Sequence, residues 1–188
     1  MKLQEAILKR RSIRRFTDQE VTDQQLQQIF EAVRWSPSWA NTQTWEFVVI
    51  RDKELIQKVT TTYQMEKGTN PATKCSQAAS ALIVVCAKTG VSGCYGGKET
   101  TKFSNWFMFD LGIATQTLCL TAHELGLGTV VVGLLNHDAC KELIALPAGY
   151  EAVAVLPIGY PAAEQKSGPP RKAVADMVHV DTFGKKIF

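Results

Sequence analysis

The chain contains 188 residues, of which 45% are hydrophobic and 21% charged, a composition typical of one globular domain and unlike that of a disordered chain. Its 21 basic and 18 acidic side chains leave a net charge of only +3. The five cysteines form no C-x-x-C pair, which argues against a zinc knuckle or a disulfide framework and favours a reducing, cytoplasmic compartment. We expect neither a signal peptide nor a membrane span, because the first residues lack an apolar core and the longest apolar stretch contains polar side chains.

The positive charge is concentrated near the start of the chain. Residues 9–15 (K-R-R-S-I-R-R) hold five cations and no anion, and without them 16 basic and 18 acidic side chains would leave a net charge of −2. This segment offers Arg10, Arg11, Ser12 and Arg14 at the end of a predicted helix. Such donors suit a phosphate monoester, since each charge-assisted hydrogen bond contributes about 1.5–3 kcal/mol. The alternative is that the arginines only interact with the helix C-terminus, worth about 0.3–1 kcal/mol. That alternative explains two arginines better than four, so we favour the anion site.

Hydrophobic periodicity and turn residues predict alternating helices and strands. Helices are expected at residues 3–11, from Thr22 to a stop near Pro37, after Asp52, at 103–125 and at 139–146; strands are expected at 46–51, 81–87, 129–133 and 152–158. Thr22 and Gln25 have the spacing of a capping box, and Asp52 is placed to cap the helix that follows. Residues 90–97 contain four glycines and are expected to form a mobile loop.

Three features of this pattern bear on architecture. The strand sequences F-V-V-I, L-I-V-V and V-A-V-L do not alternate, which predicts a sheet buried on both faces between helix layers. The helix at 103–125 is apolar most of the way around, with Asp110 its only charge before His123, so a partner subunit is the expected cover. We expect one domain over residues 1–160. The stretch 161–188 is rich in proline and glycine yet still apolar, and we expect it to wrap around the partner subunit.

Several familiar motifs are excluded. Gly126 and Gly128 follow a helix and precede a strand, the reverse of the order in a dinucleotide-binding turn. The three histidines are scattered, and no serine lies in a G-x-S-x-G elbow. The sequence therefore predicts no protein-bound metal and no catalytic side-chain nucleophile, acid or base. If the protein is an enzyme, we expect an organic cofactor to supply the chemistry.

A second polar segment, residues 36–45 (S-P-S-W-A-N-T-Q-T-W), joins a predicted helix to a core strand. Its amides offer paired donors and acceptors that suit the edge of a planar heterocycle, and Trp39 could supply a stacking wall. Taken alone, the segment is better explained as a helix-to-strand loop in which Pro37 ends the helix and Trp45 fills the core.

Together, however, the segments resemble the FMN-dependent nitroreductase family of the short, oxygen-insensitive type. The resemblance rests on R-R-S-x-R near residue 10, P-S-x-x-N-x-Q-x-W near residue 37, D-x-G-x-A-x-Q from Asp110, G-L-G-T at 126–129 and I-G-Y-P at 158–161. It covers nearly the whole chain. It implies an α+β homodimer with a mixed central β-sheet between helix layers, a C-terminal tail exchanged across the dimer, and FMN bound at the subunit interface.

The resemblance also implies a set of cofactor-binding residues. The FMN phosphate would be held by Arg10, Arg11, Ser12 and Arg171, with Arg14 near the pyrimidine end of the ring. The other subunit would line the flavin with Pro37, Ser38, Trp39 and Asn41. Backbone groups of Gly133 and Leu134 would touch the ring, and Asn70 would read its edge. The chain departs from the family's usual residues at Trp39, Thr44, Leu134 and Pro169, and residues 89–102 are shorter than the segment that covers the substrate pocket in larger relatives.

The resemblance implies ping-pong hydride transfer from NAD(P)H through FMN to a small acceptor such as a nitroaromatic or a quinone. Three alternatives remain at this level. The same fold and cofactor could serve reductive dehalogenation or oxidation of a heterocycle, or the protein could bind flavin without turnover. Residues 9–15 could instead bind nucleic acid, although the net charge of −2 on the rest of the chain argues against a broad basic face.

Overall fold

The computed structural model describes residues 2–163 and 167–188. Its helices are α1 (Leu3–Lys9), α2 (Asp23–Val33), α3 (Lys53–Thr61), α4 (Ala72–Gln77), α5 (Phe107–Glu124), α6 (His137–Leu143) and α7 (Val174–Met177), with a turn of 3-10 helix at Trp39–Asn41. The central sheet has the order β1 (Trp45–Ile50), β2 (Ala81–Lys88), β6 (Tyr150–Gly159) and β5 (Gly128–Thr129). A separate hairpin pairs β3 (Cys94–Tyr95) with β4 (Lys98–Glu99). The predicted α+β fold, with a sheet between helices, is confirmed.

The sheet is buried on both faces, as its sequence predicted. In β2, Leu82, Val84 and Cys86 enter a core beneath α3 and α4, while Ile83 and Val85 enter the opposite core beneath α2 and α5. The four strands pair antiparallel throughout. Among the described residues, the parallel pairing expected of a mixed sheet is limited to one bridge, from Ser12 to Thr129.

Local capping signals correctly predicted two helix starts. Thr22 and Gln25 form a capping box at α2, with the Gln25 amide donating to the Thr22 hydroxyl oxygen. The Asp52 carboxylate accepts from the Leu55 amide at the start of α3.

The start of the longest helix was predicted four residues too early, at Phe103 instead of Phe107. The residue before the helix, Trp106, packs against Gly93 of the hairpin loop so closely that a Cβ on Gly93 would lie 2.7 Å from the Trp106 Cβ. This tertiary contact holds the preceding residues in turns, although their side chains are compatible with a helix.

The predicted strand at 129–133 is also interrupted. β5 ends at Thr129, and pairing resumes only at Val132, whose N–H and C=O both bond Val155 at 2.9 Å. The flanking residues Val131, Gly133 and Leu134 are therefore exposed.

A large apolar surface remains uncovered. On α1 the predicted apolar stripe faces outward, and exposed apolar side chains also lie on α5 and in the C-terminal segment; these include Leu3, Ile7, Leu8, Met108, Phe109, Val174, Met177 and Phe183. Residues 164–166 of the predicted extension lie outside the described residues. Among the described helices, none has the length and apolar composition that a bilayer span requires.

Candidate functional site

The arginine-rich segment is fixed to the sheet by apolar anchors. Ile13 and Phe16 are buried, and the Ile13 amide donates to the Thr129 carbonyl oxygen at 2.9 Å. Gly128 makes this approach possible, because a Cβ there would lie only 2.5 Å from Ile13 Cγ1. The neighbouring side chains of Ser12 and Arg14 consequently remain exposed.

These exposed residues line a cavity of about 460 Å³, which we call the cationic pocket. Its walls are formed by Arg10, Arg11, Ser12, Ile13, Arg14, Arg15, Ala163, Ser167, Gly168, Pro169 and Arg171. Among the residues that the structure describes, the lining therefore holds five guanidinium groups and no carboxylate. Within the described part of the chain, no hydrogen bond or ion pair engages the guanidinium groups of Arg10, Arg14 and Arg15. Their mutual repulsion favours a bound anion, and their donors suit a phosphate.

Arg11 differs from its neighbours. Its Nη1 donates to the carbonyl oxygens of Leu8 at 2.6 Å and Arg10 at 2.8 Å, so it interacts with the C-terminal end of α1. The alternative considered for the arginines, an interaction with the C-terminal end of the helix, thus applies to Arg11. Its Nε is buried without a hydrogen-bond partner in the described structure, and Gly168 packs so closely that a Cβ there would lie 2.8 Å from it. An orphaned charged donor at a pocket wall fits an incoming phosphate oxygen.

Two other predicted site residues meet just before α4. Asn70 donates from Nδ2 to the carbonyl oxygens of Gln64 at 2.9 Å and Leu134 at 3.3 Å. Within α4, burial raises the pKa of Cys75, and the charge of Arg14 acts in the opposite direction. Asn70 and Leu134 are thus joined directly, whereas Arg14 lines the cationic pocket.

The Asn70 amide is fully engaged by the protein itself. Besides the two bonds from Nδ2, its Oδ1 accepts from the Ala72 amide at 2.9 Å. In this arrangement Asn70 fixes the exposed loop of Gly133 and Leu134. It contributes to the predicted site by holding that loop.

The segment from Pro37 to Asn41 forms a separate part of the site, with no hydrogen bond to the cationic pocket among the described residues. Its backbone is strained: Ala40, Asn41 and Gln43 have φ values of 46°, 54° and 46°. The Ser38 hydroxyl oxygen accepts from the Gln43 amide at 2.9 Å, and the Trp39 amide donates to a carboxylate oxygen of Asp110 at 3.1 Å. Pro37 and Asn41 are exposed, and Trp39 is half-buried.

Among the pocket-wall residues that sequence reasoning did not predict, Arg15 and Gly168 affect the charge and the shape of the site. Arg15 was part of the recognised cation cluster, and its side chain enters the same cavity as that of Arg14 because Ile13 and Phe16 are the buried residues of this segment. Gly168 had no sequence signal, since its role depends on packing against a residue more than 150 positions earlier.

A histidine lies beside the arginine segment. Partial burial lowers the pKa of His123, and the charges of Arg10, Arg11 and Lys9 lower it further. Its Nε2 is buried and has no hydrogen-bond partner in the described structure. The imidazole is therefore neutral near pH 7 and adds no positive charge to this end of the pocket.

Comparison with known proteins gives concordant results. The sequence model described as "Nitroreductase family" matches residues 7–160. An FMN reductase [NAD(P)H] of Bacillus subtilis is 30% identical over 184 residues, covering 92% of this chain and 71% of that protein. Human iodotyrosine deiodinase 1 is 24% identical over 180 residues, covering 85% of this chain and 61% of the deiodinase. The structure of an FMN-dependent nitroreductase from Clostridium difficile R20291 superimposes with a TM-score of 0.77 at 28% identity, covering 96% of this chain and 99% of that one.

Proposed function

Because the chain belongs to the nitroreductase family, we propose that it is an FMN-dependent oxidoreductase that uses NAD(P)H to reduce a small electron acceptor. The observation that carries the proposal is the cationic pocket, whose described lining gathers five guanidinium groups without a carboxylate. FMN ends in a phosphate monoester and needs such a site. When bound, FMN supplies the two-electron chemistry by accepting a hydride from NAD(P)H and passing it to the acceptor.

We assign the phosphate to Arg10, Ser12, Arg171 and the Nε of Arg11. Among the described residues, no hydrogen bond engages the side chains of Arg10 and Ser12, and the Arg171 guanidinium bonds the Pro169 carbonyl oxygen alone, at 3.3 Å, so these donors are available at the pocket wall. Charge-assisted bonds of this kind contribute about 1.5–3 kcal/mol each. Together they would hold the cofactor without a covalent link.

Arg14 has a different role in this proposal. It lines the cationic pocket, and it carries a fixed positive charge with no counterion among the described residues. Such a charge stabilises negative charge that develops on the pyrimidine side of a reduced flavin. Backbone groups of Gly133 and Leu134, exposed after the break in β5, would orient the ring. No side-chain acid or base is needed for these steps.

We further propose that the enzyme is a homodimer and that the partner supplies Pro37, Ser38, Trp39 and Asn41 to each flavin. The exposed apolar residues of α1, α5 and the C-terminal segment support this arrangement, because a monomer would leave them in water. The segment 161–188 would wrap the partner subunit. The five cysteines of the chain are free thiols, which suits a cytoplasmic enzyme.

The first test is the visible absorption spectrum of the purified protein, with and without added FMN. We expect oxidised-flavin absorption that is bleached by NADH or NADPH under anaerobic conditions. Arg10→Ala should weaken FMN binding by at least about tenfold, the loss of one charge-assisted hydrogen bond, with little change in thermal stability. Arg34→Ala is the matched control, since it removes one surface arginine whose partner is Glu31. A protein that takes up no FMN would refute the proposal.

The shared site can be tested by mixing subunits. A heterodimer of one Arg10→Ala chain and one Trp39→Ala chain can be isolated through two different affinity tags. If each site takes Arg10 from one subunit and Trp39 from the other, both substitutions fall in one site and the other site is intact. We expect it to bind FMN more tightly than either mutant homodimer. If the heterodimer binds FMN as weakly as the two mutant homodimers, both residues act on a flavin held by their own chain.

Reductive dehalogenation is a second candidate, favoured by the similarity to human iodotyrosine deiodinase 1. Steady-state rates with NADH and NADPH over matched nitroaromatic, quinone and halogenated phenol acceptors separate the two reactions. Nitroaromatic or quinone reduction without halide release would support the first proposal, and stoichiometric halide release would support the second.

A further inference from the structure

Asp110 is a buried carboxylate with an unusual pair of partners. It lies in the first turn of α5 and is 1% exposed. Its Oδ1 accepts from the Trp39 amide at 3.1 Å, and its Oδ2 accepts from the Ser92 hydroxyl at 2.5 Å. No salt bridge of the described residues involves it. Both carboxylate oxygens therefore have a hydrogen-bond donor, and both donors come from loops outside the helix that carries Asp110.

The two loops attached to Asp110 are the ones whose shape matters to the proposed flavin site. One is the strained segment that carries Ser38, Trp39 and Asn41. The other, residues 89–102, contains the β3–β4 hairpin. Left-handed backbone at non-glycine residues costs about 1–3 kcal/mol per residue and persists only where surrounding contacts impose it.

Helix α5 supplies two of those contacts on the strained loop. The Trp39 amide is bound at Asp110, and the Ser36 hydroxyl donates to the Thr117 hydroxyl at 3.0 Å. Asp110 and Thr117 are seven residues apart and so lie on the same side of the helix. Both contacts lie at the start of the loop, directly before the strained residues, so α5 holds the segment from which the strained backbone continues. Helix α5 is also the helix proposed to form the dimer interface.

We propose that Asp110 is a positioning residue for the flavin site: it fixes the Trp39 loop and the β3–β4 hairpin relative to each other, so that the loop meets the flavin in one conformation. The inference rests on the proposed function for its link to FMN. The hydrogen-bond arrangement itself can be tested in the cofactor-free protein.

Two substitutions distinguish a positioning role of the Asp110 side chain from an effect of its negative charge. Asp110→Leu keeps a similar volume but has no acceptor for the Trp39 amide. Asp110→Asn keeps an acceptor oxygen for Trp39, and its amide can donate to the Ser92 hydroxyl oxygen if that hydroxyl turns. Ser76→Ala is the control, because it removes a fully buried hydroxyl, bonded to Tyr63 at 3.1 Å, on the opposite side of the sheet.

The first measurement is amide hydrogen exchange in the FMN-free protein. Asp110→Leu should raise the exchange rate of the Trp39 amide by at least about tenfold, while Asp110→Asn should stay within about threefold of wild type. Ser76→Ala should leave this amide unchanged even if it lowers thermal stability. Unchanged exchange at Trp39 in Asp110→Leu would overturn the inference.

The second measurement is the FMN dissociation constant of the same variants. We expect Asp110→Leu to weaken binding by about tenfold or more and Asp110→Asn to restore most of it. If wild type binds FMN and Asp110→Leu binds it equally well, the positioning role is refuted. If wild type does not bind FMN, the proposed function fails, whereas the exchange result still decides whether Asp110 anchors the loop.

If Asp110→Leu does not fold, Ser92→Ala replaces it. The readout is then exchange of the Thr100 amide, which bonds the Gly93 carbonyl oxygen at 2.8 Å. Faster exchange at Thr100 would support Asp110 as the hairpin anchor, and unchanged exchange would overturn it.

Discussion

Gly128→Ala should destabilise the protein because Ile13 packs against Gly128 and occupies the space that the new methyl group would need. The added methyl group would lie 2.5, 2.6 and 2.8 Å from Ile13 Cγ1, Cβ and Cγ2. The φ angle of Gly128 is not in the left-handed region, so alanine brings no backbone strain. The effect must therefore come from steric overlap.

The expected magnitude follows from these distances. Carbon atoms in contact normally lie about 3.5–4.0 Å apart, so Ile13 would have to move by about 1 Å. Its β-branched side chain has few alternative rotamers, and moving the backbone would stretch the 2.9 Å bond from the Ile13 amide to Thr129. Overpacking costs about 1–3 kcal/mol and the hydrogen bond about 1 kcal/mol, which together predict a loss of about 2–4 kcal/mol in unfolding free energy. For a chain of this length the corresponding drop in Tm is roughly 4–15 °C.

The assay is urea unfolding and calorimetry at fixed protein concentration, as a double-mutant cycle with Ile13→Ala. Removing the Ile13 side chain eliminates the clash, so Gly128→Ala should cost much less in the Ile13→Ala background than in wild type. Gly128→Ala should also weaken FMN binding, because Ser12 and Arg14 move with Ile13. Strict additivity of the two substitutions, or an unaltered Tm in Gly128→Ala, would refute this account of how the arginine segment is held.

Three further predictions concern other parts of the structure. Thr22→Ala removes the capping box of α2 and should lower the unfolding free energy by about 1 kcal/mol, seen as a lower urea midpoint at unchanged slope; an unchanged midpoint would contradict this. Asn70→Ala removes two hydrogen bonds within residues 64–72 and one to Leu134, and it should cost about 1–3 kcal/mol, with faster proteolysis near residue 65; equal cleavage rates would exclude the role assigned to Asn70. His123 has a lowered pKa in the folded state, so as the pH falls through about 6.5 the unfolded chain takes up a proton that the folded chain resists, and stability decreases. His123→Gln should therefore show a smaller loss of Tm between pH 7.5 and 5.5 than wild type, and an identical loss would rule out this contribution.

The sequence predicted the features that depend on neighbouring residues. The capping box at Thr22, the cap at Asp52 and the strand pattern of β2 each depend on residues a few positions apart, and all three were predicted correctly. The cation cluster was equally visible, because it occupies consecutive positions and its chemistry needs no partner from elsewhere.

Other features depend on contacts between distant parts of the chain, and only the tertiary structure decided them. Arg10 and Arg11 are adjacent and chemically identical, yet Arg11 binds carbonyl oxygens of its helix end while Arg10 keeps its donors, because each side chain leaves the backbone in a different direction. Asp110 is 71 positions from Trp39 and 18 from Ser92, so no local pattern could have revealed that it joins their loops. Local sequence thus determined the elements and the charge of the site, whereas long-range packing determined which of its groups are free to bind a ligand.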